Sequence, residues 1–220
     1  MMRGDFTPYS AASVHWKSTV LLNYRFAATI FTFMFTLACV GQFLLLIFAP
    51  KTQPGGIVFY TLPVVIGLLV FFEWSEVRSL KKHGASIVTR NEDYPAASIW
   101  LAAVLESIAP LAGFYLIGGF IGWQTALGGP PLVAAVIIPL VSILRLDYRI
   151  CIMQGVVGAL GYWLIVGMAL SHSDPGLLAE GPILQVGKGV LLIATGVLAG
   201  LIALQNRRRL HEVIYALERR

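Results

Sequence analysis

The 220 residues are 57% hydrophobic and only 12% charged, with a net charge of +5 and a mean hydropathy of +0.78. A soluble domain carries about 25% charged residues, so this composition argues against an ordinary water-soluble enzyme and for an integral membrane protein. The cysteines, Cys39 and Cys151, sit within or beside apolar runs, lack metal-ligand spacing and say nothing about redox compartment.

A polar arm, 1–25, opens the chain, and it has no apolar core before a small-residue cleavage site, so no cleavable signal peptide is expected. Six apolar segments follow, at Phe26–Phe48, Gly56–Phe72, Ala97–Ile117, Pro130–Leu144, Ile150–Leu170 and Val186–Leu204. A spanning helix needs roughly 20 apolar residues. The fourth segment is the shortest, and Pro130, Pro131 and Pro139 punctuate it. Proline is tolerated where neighbours satisfy the freed carbonyl. The runs are apolar on every face rather than alternating, which excludes barrel strands. The expected fold is therefore all-α: a polytopic membrane domain over 26–204 built as a six-helix transmembrane bundle.

Basic residues concentrate on the cytoplasmic side of a membrane protein. With both termini cytoplasmic, fourteen of the sixteen basic residues lie inside, and only Lys51 and Lys188 lie outside. The chain is expected in the inner (cytoplasmic) membrane, its basic segments meeting anionic lipid heads. Those segments are scattered, which argues against nucleic acid as a partner.

Glu106 stands about ten residues, roughly 15 Å at helical rise, into the third segment. An ionisable group at that depth is a functional candidate by default. It would hold a cation, sense a ligand or relay a proton; a packing role carries equal weight. Pro110, four residues on, blocks the hydrogen bond to the Glu106 carbonyl. Between the fourth and fifth segments, Ser142–Arg149 reads as a tight helical corner with Arg145, Asp147 and Arg149, and snorkelling at the headgroups is its simplest account. Lys188, Asp174, Glu180 and His172 mark the outer end before segment six. Gly196 and Gly200 form a GxxxG pair that permits close helix contact, inside the bundle or between subunits. No Walker loop, HExxH, GxSxG or CxxC pair is present, and His15, His83, His172 and His211 are too scattered for haem or metal.

After Leu204 the sequence has neither proline nor glycine, so the sixth helix is expected to run on through 205–220 into the cytoplasm. Leu210, Val213, Ile214 and Leu217 recur at three- and four-residue steps. That face invites a second copy of the chain. The charged helix reaches Arg220 without a stop signal, which raises the expectation of an output domain beyond it.

Several stretches resemble the six-span membrane domain of bacterial class III adenylate (nucleotidyl) cyclases. Phe72-Glu73-Trp74 and the basic stretch after it resemble the end of the family's second span. Asn91 to Glu106, with Tyr94 and Ala97, then Ser107-Ile108-Ala109-Pro110, resemble its third. Pro130-Pro131 and Leu140 to Arg149 resemble its fourth-to-fifth corner, the most specific match. Gly155 to Tyr162 resembles the start of its fifth span, and Arg209 to Arg220 its helical transducer. The resemblance implies a membrane anchor, sensor and parallel homodimerisation module. Its partners would be a second copy, membrane lipids and a small hydrophobic or external ligand. ATP and a divalent metal would belong to a separate catalytic domain, with no cofactor or catalytic residue in this chain. Two other readings stand beside it: a small transporter or channel subunit with Glu106 on its pathway, and the sensor module of a histidine kinase. Transporters often carry internal repeats, and the halves of this chain show no self-similarity.

Overall fold

The computed structural model describes residues 11–48, 57–89, 96–171 and 181–218. Lys51, His172, Asp174, Glu180, Arg219, Arg220 and the stretch Asn91 to Tyr94 lie outside the described residues. Helix α1 covers Ala11–Phe48, α2 Ile57–Thr89 and α3 Ala96–Ile121. The short α4, Trp123–Gly128, leads into α5, Pro130–Val141, which ends in a 3-10 turn at Ser142–Arg145. Helices α6, Tyr148–Ser171, and α7, Pro182–Glu218, complete the fold. The described residues contain no strand.

Among the described residues, four stretches are long and apolar enough to cross a membrane: Val14–Val40, Ala126–Arg145, Tyr148–Ser171 and Ile183–Ile214; Ile99–Tyr115 is apolar but shorter. They point to a multi-pass membrane protein. Burial agrees. Inside lie Ala27, Ala28, Ala102, Ala103, Ala159, Ala199 and Ala203, while Phe33, Leu68, Leu164, Leu198 and Leu201 face outward. Large aliphatic side chains outside and small ones inside is the arrangement lipid solvent favours, because association there depends on close packing rather than on escape from water. The hydroxyls of Thr29, Thr32 and Thr36 each donate to the carbonyl four residues back. These three hydroxyls are therefore not left bare.

Within the polar arm 1–25, α1 is already helical from Ala11. The tight helical corner at Ser142–Arg149 is a 3-10 turn followed by a break. Leu146 adopts a left-handed conformation, φ 56°, its N–H donates to the Ile143 carbonyl at 3.0 Å, and α6 restarts at Tyr148. The fourth apolar segment owes its shortness to its ends. Gly122, at φ 111°, turns the chain out of α3, and the Pro130-Pro131 pair opens α5 with φ preset for a first helical turn.

The most extensive helix contacts are α6 against α7 and α1 against α2. Phe114, Leu127, Tyr162, Ile165 and Leu192 form a core shared by α3, α4, α6 and α7. Phe31, Phe35, Leu69 and Ile138 form a second one joining α1, α2 and α5. In α6 and α7 the glycines decide the spacing. A Cβ on Gly155 would lie 2.8 Å from the Gly196 Cα, and one on Gly200 3.0 Å from the Tyr148 carbonyl oxygen. Gly196 and Gly200 therefore face α6 of their own chain. Of the two expected places for the pair, inside the bundle or between subunits, this contact is the one within the bundle.

Candidate functional site: a buried ionic cluster

Glu106 is 0% and Arg145 2% exposed, and the two side chains face each other. Arg145 Nη1 donates to Glu106 Oε2 at 2.8 Å, and Nη2 donates to Oε1. This is the two-pronged guanidinium–carboxylate fork, which fixes geometry as well as charge. Gln154, on α6, donates from Nε2 to Glu106 Oε2 at 2.9 Å and to the Ala103 carbonyl at 3.4 Å. Phe31 of α1 lies with its ring centre 5.2 Å from the guanidinium carbon. Glu73, on α2, is 1% exposed and lies within electrostatic reach of Glu106 and Arg145.

Local structure explains why these groups meet. The 3-10 turn ends α5 early, and the left-handed Leu146 turns the chain at the next residue. Arg145 is thereby directed inward rather than along the surface. Its expected snorkelling is corrected: the side chain is buried and paired. An unpaired guanidinium there would be very costly, so the corner and α3 hold each other in place. The rest of the corner behaves as surface. Asp147 Oδ1 accepts from the Arg149 N–H at 3.0 Å, which caps the start of α6. Arg149 is exposed and its Nε donates to the Tyr148 hydroxyl at 3.3 Å. Pro110 is buried within α3, one turn beyond Glu106.

The cluster thus unites two of the expected candidates, Glu106 and Arg145, and adds Glu73 and Gln154. Glu73 entered the sequence reading only as part of the Phe72-Glu73-Trp74 resemblance. Its signal was an acid directly following an apolar run. Gln154, an amide inside the fifth apolar segment, carries a fainter version of that signal.

The remaining candidates lie elsewhere. On α7, Leu210 is half-buried, Val213 is exposed and Ile214 is buried; the side chain of Leu217 lies outside the described residues. Helix α1 packs along α7. The Trp16 and His211 rings meet edge to face at 5.8 Å, and the Arg207 guanidinium carbon lies 5.8 Å from the Trp16 ring centre. The face expected to be free for a second copy is thus partly taken up inside the chain.

A narrow crevice lined by Tyr24, Glu76, Leu80, Ile99 and Arg145, without room for a water molecule, lies beside the cluster. Among the described residues no group of histidines, cysteines and acids has the makings of a metal site. No protein-family model, curated protein or solved structure matches the chain.

Proposed function

We propose that the chain is the membrane anchor, dimerisation and signal-transmitting module of a class III nucleotidyl cyclase. In this reading it has six spans and both termini cytoplasmic. One observation carries the transmitting role: α7 is a single unbroken helix of 37 residues. At 1.5 Å per residue it is about 55 Å long, against a hydrocarbon core of about 30 Å. A rotation or shift at one membrane face therefore reaches the other without a hinge. The cyclase assignment rests on the resemblance of the corner, the third span and the basic helix described above. The buried cluster supports a sensor over a transporter. A pathway acid must meet its cargo, whereas both oxygens of Glu106 are taken by Arg145 and Gln154.

Dimerisation has a clear energetic role here. Class III active sites form between two catalytic domains, as the resemblance implies, and a shared membrane module raises their effective concentration to about millimolar. The test joins residue 220 in frame to a soluble class III catalytic domain in a cyclase-deficient bacterium. Cyclic AMP production should exceed that of the free domain at equal expression by on the order of tenfold, in line with that effective concentration. Val213→Glu, on the exposed side of the helix, should reverse the gain. Activity equal to the free domain, unaffected by Val213→Glu, would remove the cyclase-module reading.

A further inference from the structure

The outward side of α2 changes character along its length while keeping its direction. Leu68, Phe71, Trp74, Arg78, Lys81 and Lys82 are all exposed. At about 100° per residue they fall within an arc of about 140° on the helix. Leu69, Glu73 and Leu80, on the opposite side, are buried. The exposed face begins with large apolar side chains and ends with cations. Trp74 divides the two, and tryptophan favours the level of the lipid headgroups. Beyond it, at helical rise, Arg78 stands about 6 Å away and Lys82 about 12 Å. A headgroup layer is about 5–8 Å thick, and long lysine stems reach back across the difference. The Arg78 guanidinium carbon lies over the Trp74 ring, 5.3 Å from its centre, which holds that cation at the boundary. Among the described residues neither Arg78, Lys81 nor Lys82 has an acidic partner.

We propose that this face of α2 is a docking site for anionic phospholipid, with Arg78, Lys81 and Lys82 on the headgroup phosphate and Leu68 and Phe71 along the acyl chains. The assignment rests on the six-span reading, in which α2 crosses the membrane. Charge complementarity selects the partner. A phosphodiester headgroup with no amine of its own carries a net negative charge, whereas choline cancels its phosphate. Arg78 offers a planar fork of N–H donors that matches two phosphate oxygens, and each lysine adds a compact charge. Near an anionic membrane surface each such cation is worth about fivefold in affinity. A second copy is a poor occupant, because a two-fold contact sets a patch against itself and here opposes like charges. A soluble acidic partner leaves the apolar half of the face without a role. The basic run on α7 is built differently: Arg207, Arg208 and Arg209 are consecutive and spread around the helix, and Arg207 already lies over Trp16.

Titrating the full chain in neutral detergent with a tail-labelled phosphatidylglycerol tests the site. Unlabelled phosphatidylglycerol should displace the probe; phosphatidylcholine and inorganic phosphate should not. Arg78→Gln should raise Kd about fivefold and Lys81→Gln with Lys82→Gln about 25-fold, while the charge-matched Arg208→Gln with Arg209→Gln should change it less than about twofold. These five side chains are exposed, so the substitutions leave the packed interior intact. Equal losses in the two charge-matched pairs would mean that net charge alone attracts the lipid, and would overturn the site. Displacement by phosphatidylcholine or by inorganic phosphate overturns it equally. Leu68→Cys, in a chain lacking Cys39 and Cys151, separates the site from the span count: in sealed vesicles it should resist a water-soluble maleimide. Ready labelling takes α2 out of the bilayer and overturns both. Resistance, with an unchanged Kd in the Lys81–Lys82 variant, overturns the lipid site alone.

Discussion

At the scale of single residues, Arg145 changes meaning most between sequence and structure. Two basic residues four apart at the edge of an apolar run look alike, yet Arg145 is buried and Arg149 is exposed. The difference comes from a 3-10 turn and one left-handed leucine, features that leave no periodic trace. Glu106 was legible because a buried acid is costly wherever it occurs. Its partner was not, because the pairing closes over 39 residues. The pair gives a clean prediction. Arg145→Met strands an unpaired carboxylate and should cost about 3–5 kcal/mol. Adding Glu106→Leu removes the stranded charge and should recover most of that loss. Unfolding in mild detergent measures both. If the double variant is no more stable than Arg145→Met alone, the two residues are not coupled.

Among the elements, the α6–α7 pair rests on backbone contact. The Gly196–Gly200 spacing announced a close approach, but spacing alone does not name the partner helix, and the structure assigns it to α6. A Cβ at Gly196 would lie 2.7 Å from the Gly155 Cα and 2.8 Å from the Cys151 carbonyl oxygen. Backbone atoms cannot swing aside as a side chain can, so the helices themselves must part. Gly155→Ala should therefore destabilise by about 1–3 kcal/mol, as overpacking does. Gly167, on the same helix, has nothing within 4 Å of its would-be Cβ. Gly167→Ala should instead stabilise by about 0.5–1 kcal/mol through helix propensity. Equal effects at the two positions would show that the close approach does not limit the packing.

For the whole molecule, composition made helicity and membrane residence plain, and the unbroken run of α7 was readable from the lack of breakers after Leu204. The number of spans is harder to read, since α3 carries a buried acid and offers only the short apolar stretch Ile99–Tyr115. The charge distribution predicts the sidedness. Single cysteines at Ser18 and Ile183, both exposed, in a chain lacking Cys39 and Cys151, should label from opposite faces of sealed vesicles. Labelling of both from one face would exclude the six-span arrangement with cytoplasmic termini.

The pairing of Glu106 with Arg145 also sets a timetable for the chain's birth. The acid is synthesised first, and its guanidinium follows 39 residues later, about 2–8 s at ordinary elongation rates. During that interval α3 carries a buried acid that has no cation to meet. Lipid is a poor place to wait, so the third helix is best held beside the insertion machinery until the corner emerges.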